Sequence, residues 1–280
     1  MANHRRILLI ALLAGLSGCT GWPGAPAPPP AAAKSRPFMP VDAAGDIAQG
    51  EYLMVVQIRL AIIELPAGTI SNSEEIWSYL DEEAVAAGRS GDLGRNGLRA
   101  AVGSMDVLPD LERILKQMAG REISYRTVAT VPAEPAPIVL KERQGEQHIF
   151  TFNVDRTLSG SMYPPGDDVL TLSCSVNRDD PSTIHVSAVP QIRSTAAKMG
   201  VVENPTGPAL TPIKDIYSFS DLALRAPVPN KGLLVIGPGQ RSQDPYSLGH
   251  HFLTDSRQGV RYETVVVMIP ELFAAPRRQL

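Results

Sequence analysis

Runs in which apolar and polar residues alternate dominate the chain. EYLMVVQIRLAIIEL, from Glu51, places Val56, Ile58, Leu60 and Ile62 on one face and Gln57 and Arg59 on the other. A period of two marks a half-buried strand, and Pro66-Ala67-Gly68 ends it. The period then changes. In SNSEEIWSYLDEE, Ile76, Tyr79, Leu80 and Glu83 fall at helical spacing. Ser71 with Glu74 three residues on has the spacing of a capping box, and Glu75 suits the positive helix end. This predicts a short helix whose Trp77 and Tyr79 form a packed face or a pair of binding contacts. GLRAAVGS, from Gly97, predicts a short strand. MDVLPDLERILKQMAG predicts the clearest helix: Asp106 can cap it, Pro109 suits its first turn, and Val107, Leu111, Ile114, Leu115 and Met118 form one stripe. Gly120 is placed to stop it.

After Gly120 the helical period disappears. REISYRTVATV, PIVLKERQ, QHIFTFNVD, DVLTLSCSVN, STIHVSAVPQIR, DLALRAPV, GLLVIG and RYETVVVMIPEL all read as strands separated by Gly, Pro, Asn and Asp. The stretch 177–181, between two alternating runs, reads as a hairpin turn. Lys198 to Lys214, rich in Pro and Gly, reads as a loop or flap. The expected fold is α+β and mainly β, with two helices near the start and about eight strands in a mostly antiparallel sheet.

The first residues carry a different signal. His4, Arg5 and Arg6 form a basic start, and Ile7 to Gly15 a short apolar core. That core falls short of the about 20 residues a membrane helix needs and fits an export signal. Leu16-Ser17-Gly18-Cys19 resembles the lipobox of bacterial lipoproteins. The resemblance implies cleavage before Cys19, lipidation of Cys19, and attachment to a membrane through that lipid. Thr20, rather than an Asp, follows the cysteine and resembles an outer-membrane sorting pattern. The stretch from Gly21 to Pro40 holds Pro23, Pro26, Pro28, Pro29, Pro30, Pro37 and Pro40, so it reads as an extended leash, reaching about 50–60 Å at about 3.1 Å per residue. Trp22, beside the lipid, reads as an interfacial anchor. The expected organisation is a lipoprotein signal peptide at 1–18, a lipidated cysteine and Pro/Ala-rich linker at 19–50, and a β-rich domain at 51–280.

Charge narrows the partners. Without Arg5 and Arg6 the 26 basic residues become 24 against 29 acidic, a net of −5. Nucleic-acid binding needs a basic footprint, so nucleic acid is not an expected partner. With Cys19 lipidated, Cys174 has no cysteine left to pair with and reads as a small buried apolar residue. No nucleophile elbow, P-loop or H-E-x-x-H motif occurs. Gly237-Pro238-Gly239 reads as a turn. His250-His251, read as strand neighbours, point to opposite faces and would chelate one ion poorly. Asp167-Asp168 and Asp179-Asp180 read as backbone caps at strand starts and turns. Glu64 lacks a second carboxylate for acid–base work. Accordingly no catalytic residue, cofactor or metal is expected, and the chain is read as not an enzyme.

Taken in order, the strands resemble the secretin homology domain, which builds the outer-membrane rings of type II and type III secretion and pilus systems. That domain closes with an apolar strand and double glycine, a Pro- and Gly-containing loop, and an apolar strand ending in Pro. Gly232 to Gly239, Pro245 to Gly249 and Tyr262 to Pro270 resemble those parts. VVQIRLAIIEL resembles the opening strand with its final acid, here Glu64. LERILKQMAGREISYRTVATVPAEPAPIVLKERQGE resembles the helix and first strands, and DVLTLSCSVNRDDPSTIHVSAVPQI the hairpin that ends in Pro and an aliphatic residue. The resemblance spans Glu51 to Leu272. Departures are the Gly-Pro-Gly in place of a double glycine, a shortened loop end at Ser247-Leu248-Gly249, and a leash where secretins carry ring domains.

The resemblance implies a membrane-anchored envelope lipoprotein with a structural or assembly role, partnered by itself or by secretion-complex proteins. RYETVVVMI is suited to edge pairing between subunits. Arg156 and its polar neighbours in FTFNVDRTLSGSMYPPG argue against a lipid-facing hairpin, and so against a pore of its own. The alternative is a periplasmic lipoprotein holding a ligand or glycan in a cleft between helices and sheet, with Trp77, Tyr79, Tyr163 and Tyr246 as contacts.

Overall fold

A strand order that departs from chain order builds the fold. The computed structural model describes residues 39–40, 52–85, 89–118, 123–177, 180–204 and 207–276. The expected signal peptide, Cys19, Trp22, Gly120, all of the linker except 39–40, and Asp179 with the middle of the expected 177–181 turn lie outside the described residues. Fourteen strands occur among them: β1 (Met39–Pro40), β2 (Tyr52–Pro66), β3 (Leu98–Gly103), β4 (Ile123–Thr130), β5 (Ala136–Arg143), β6 (Gln147–Phe152), β7 (Leu158–Tyr163), β8 (Gly166–Asn177), β9 (Asp180–Asn204), β10 (Gly207–Ser218), β11 (Leu224–Pro229), β12 (Leu233–Pro238), β13 (Thr254–Arg257) and β14 (Val260–Pro276). Three α-helices accompany them: α1 (Arg89–Arg95), α2 (Leu108–Met118) and α3 (Leu248–Leu253).

All pairings between these strands are antiparallel. The first sheet runs β3-β12-β14-β2-β4, with β1 and β13 also on β14. The second runs β10-β9-β8-β5, with β11 on β9, and β6 and β7 form a hairpin of their own. The fold is therefore mainly β, as the alternation predicts. All eight strand-like runs after Gly120 are strands.

The first sheet is the middle layer. Leu234, Ile236, Val266 and Met268 face the second sheet in one core. Their neighbours Leu233, Val235, Val265, Val267 and Ile269 face α2 and the segment carrying Ile70, Ile76 and Trp77 in another. Burial on both faces is why GLLVIG and TVVVMI are unbroken apolar runs, where a one-sided strand alternates. β2 shows the change along its own length. Val56, Ile58 and Leu60 face the first core, whereas Ile63 and Leu65 face the second.

α2 forms where its stripe predicts, with Leu111, Ile114 and Leu115 buried. The helix expected over SNSEEIWSYLDEE does not form; turns and a three-residue 3-10 turn, Trp77–Tyr79, occupy it. Its capping signals are used by distant partners. Ser71 Oγ donates to the buried Glu263 carboxylate of β14, and Glu74 pairs with Arg99 of β3, which also holds Glu82. The helix near the start that the pattern did not indicate is α1. Of Lys198 to Lys214, expected as a loop, residues 198–204 instead extend β9 and residues 207–214 belong to β10, the two paired antiparallel. Met39–Pro40, expected as leash, pairs with Ala274 and Phe273 at an edge where Pro is tolerated.

α3 was also not anticipated. Ser247 caps it, accepting the His250 N–H at 3.1 Å. Gly249 packs against the Gly97 backbone, leaving no space for a side chain. Gly237 and Pro238 complete β12 rather than a turn, and Gly237 lies under Trp77, whose Cζ2 would stand 3.1 Å from an added Cβ.

Candidate functional site

The hairpin of β9 and β10 leaves the body of the domain. Val201 pairs opposite Leu210 and Met199 opposite Pro212, so Met199, Val201 and Leu210 share one face. They are 66%, 65% and 69% exposed. The other face carries Val202 and Ile213 beside the Lys198–Asp215 ion pair. Ile213 lies across Gly200, where a side chain would displace it. Hydrogen bonding to Asp215 raises the Lys198 pKa, and hydrogen bonding to Lys198 lowers that of Asp215. From Thr195 to Asn204 the arm reaches roughly 30 Å at about 3.3 Å per residue.

Two features mark this arm as a candidate contact surface. A two-stranded ribbon without packing is marginally stable in water, and its apolar residues are gathered rather than scattered. β10 ends its sheet. Pro208 and Pro212 take two N–H groups from that open edge, which disfavours indiscriminate strand addition. The faces therefore carry most of the capacity for contact. RYETVVVMI does not supply an edge: β14 pairs with β2 on one side and with β1, β12 and β13 on the other.

Aromatic rings root the arm. Tyr217 of β10 meets Tyr163 edge-on at 5.4 Å, Tyr163 meets Phe219 at 5.5 Å, and Phe219 meets Phe252 of α3 at 6.0 Å. Tyr163 is thus a structural residue at the root of the arm. The other expected contacts are scattered. Trp77 is buried, with the Arg99 guanidinium 4.6 Å from its ring centroid. Tyr79 is exposed beside it, and Tyr246 lies exposed near Phe150 at 5.6 Å between centroids. Trp77 belongs to the core against α2, whereas Tyr163 packs against the core between the two sheets.

Behind the arm lies a charged joint. Lys141 and Arg143, two apart on β5, share a face. Lys141 Nζ donates to the Thr254 carbonyl and, at 3.3 Å, to that of His251. Arg143 donates to His251 O at 2.7 Å and pairs with the buried Asp168 at 3.2 Å. Both cations thereby satisfy carbonyls at the C-terminal end of α3. Burial pulls the Lys141 pKa down to about 7, and the Arg143 charge acts the same way. Burial pushes Asp168 up to about 6 against the pull of Arg143. Asp168 is therefore an interior ion-pair member and not the strand-start cap that its sequence position implied.

His250 and His251 lie on α3, not on a strand. Their ring nitrogens meet Ser242 O and His148 O, each at 2.9 Å. Burial lowers both pKa values, that of His251 to about 4. Glu64 receives two hydrogen bonds from Arg257, at 2.7 and 3.0 Å. Cys174 is buried, and burial raises its thiol to about 11. Among the described residues no group of three His, Cys, Asp or Glu side chains is placed to hold a metal.

No protein family profile matches the sequence, and no curated protein matches it. Among solved structures, the chain is similar to the Type IV competence pilus secretin PilQ of V. cholerae, at 10% identity and a TM-score of 0.22, over 84% of this chain and 63% of that one. It is similar to the InvG secretin domain β-barrel from the Salmonella SPI-1 injectisome, at 12% identity and a TM-score of 0.20, over 84% and 65% of the two chains. A third similarity is to the type II secretion system outer membrane complex of Klebsiella pneumoniae, containing PulD, PulS and the PulC HR domain, at 12% identity and a TM-score of 0.19, over 84% of this chain and 41% of that one. The chain thus spans less than two thirds of each of these chains. The resemblance to secretin domains is remote.

Proposed function

We propose that this chain is a lipid-anchored envelope protein whose β domain has an assembly role, using the β9–β10 arm to join a second copy of itself. The observation that carries this reading is the arm: Met199, Val201 and Leu210 project from a ribbon that the rest of the domain leaves uncovered. Cys19, in its lipobox-like setting, is the proposed lipid attachment, with the domain in the periplasm and no part of a pore wall supplied by β6 and β7, whose turn exposes Arg156 and whose second strand exposes Ser159 and Ser161. This reading assigns the protein no enzymatic activity.

The test is the mass of the lipidated mature chain in detergent, measured by light scattering. A discrete oligomer that falls to monomer in Val201→Asp/Leu210→Asp supports assembly through the arm. A monomeric parent overturns self-assembly, and an oligomer unchanged by the double substitution removes the arm as its contact.

A further inference from the structure

A cleft of about 230 Å³ opens where β6 and β7 meet the end of α1 and the segment before α3. Arg95 and Arg241 line it together with Phe150, Phe152, Leu158 and Tyr246. Its walls are fixed from several directions. Buried Asn96 donates to Phe152 O at 3.1 Å and accepts the Phe152 N–H at 2.8 Å. The Phe150 N–H donates to Tyr246 O at 2.8 Å. Gly160, opposite Phe150 on β7, leaves space for the Phe150 ring, which an added Cβ would strike.

The lining combines two chemistries. Phe150, Tyr246 and Leu158 are all exposed at its mouth, and the first two rings meet at 85°, forming an aromatic corner. The guanidinium of Arg241 stands 5.1 Å from the Phe152 ring centroid and has no carboxylate partner among the described residues. Arg95 pairs with Asp92 through one terminal nitrogen, while its buried Nε makes no hydrogen bond. Asp244 also lines the cleft, its Oδ1 accepting the Tyr246 N–H at 3.0 Å. One guanidinium is thus unmatched beside a ring-sized apolar corner. A carboxylate is the complement of a guanidinium fork, and an aromatic ring packs well edge-on or offset against other rings. The volume lies below the about 300 Å³ at which pockets for larger ligands begin, enough for one ring and its acid.

We propose that this cleft binds an aromatic ring carrying a carboxylate, as presented by the C-terminal residue of a peptide or by a free arylalkanoic acid. Arg241 engages the carboxylate, and Phe150 and Tyr246 hold the ring. None of its lining residues belongs to the arm.

Calorimetric titration of the full chain tests it with four probes: N-acetyl-phenylalanine, its C-terminal amide, 3-phenylpropionate and acetate. N-acetyl-phenylalanine binds saturably, the amide about tenfold more weakly, and acetate not at all. Arg241→Gln, an exposed position, weakens the acid about tenfold and leaves the amide unchanged, with a thermal melt confirming the fold. Phe150→Ala weakens both. Equal binding of acid and amide, no saturable binding of either acid, or unchanged binding by Arg241→Gln overturns the proposal. If 3-phenylpropionate matches N-acetyl-phenylalanine, the site takes a free acid; if it binds clearly more weakly, the site takes a peptide end. Either supports the proposal.

Discussion

Glu263 is fully buried on β14 and accepts backbone N–H groups from Gly68, Ile70 and Ser71 at 2.7, 2.9 and 3.1 Å, as well as the Ser71 hydroxyl. It turns the end of β2 back over the sheet. Glu263→Gln keeps the shape but faces an amide NH₂ toward donors, so it is expected to cost about 2–4 kcal/mol in urea denaturation. An unchanged midpoint would show that the turn holds itself. Lys141 gives a second test. Its folded pKa of about 7 lies below its ordinary value, so above pH 7 the unfolded chain binds more protons and stability rises with pH. Asp168 and the two histidines titrate with opposing signs below pH 7, and the Cys174 thiol, at about 11 when folded, opposes the rise above about pH 8.5. Between pH 7 and 8.5 the parent is expected to gain about 1 kcal/mol or more by urea denaturation, and Lys141→Met to lose that slope. A parallel slope in both proteins would refute the assignment. Neither residue was legible in the sequence. Ser71 and Glu74 matched a local capping box, but the partners that won are 192 and 25 residues away.

The β9–β10 arm shows why an element can hide from its own sequence. Pro208, Pro212, Gly200 and Gly207 are loop-like residues, yet β10 forms at an edge that Pro tolerates, and Gly200 makes room for Ile213. Burial gives most strands here their period of two. The arm lacks burial, so it lacks the period. The same logic hid α3, where six residues are too few for a helical stripe and two histidines break it. Runs buried on both faces, such as those of β12 and β14, were legible because length and β-branching identify them even without alternation. Since Val201 and Leu210 are 65% and 69% exposed and face chiefly each other across the ribbon, Val201→Asp/Leu210→Asp is expected to change unfolding free energy by no more than about 0.5 kcal/mol per site. A substantially lower denaturation midpoint would mean that the arm supports the fold itself, and a loss of oligomer mass would then report instability rather than a broken contact.

At the scale of the molecule, the layered β domain and its proposed anchor make separable demands on a membrane. Among the described residues no helix is long and apolar enough to cross a bilayer. The arm cannot cross a bilayer as a lone ribbon, because the β10 edge is unpaired, but its face of Met199, Val201 and Leu210 is apolar enough to press into a membrane surface. Lipid at Cys19 and contact of that apolar face with the membrane surface are thus two physically distinct ways of holding this chain at a membrane. Acyl chains contribute about 0.8 kcal/mol per buried CH₂, so several of them hold a protein almost permanently. If the lipid is the anchor, Cys19→Ser is expected to move the exported chain from the membrane pellet to the soluble fraction, with its fold intact by circular dichroism, and Val201→Asp/Leu210→Asp alone to leave it in the pellet. If Cys19→Ser stays in the pellet and only the combined substitutions release it, the arm holds the membrane itself. The contact proposed for a second copy would then belong to lipid. Fractionation of the two variants and their combination decides between these arrangements, because each predicts a different variant in the supernatant.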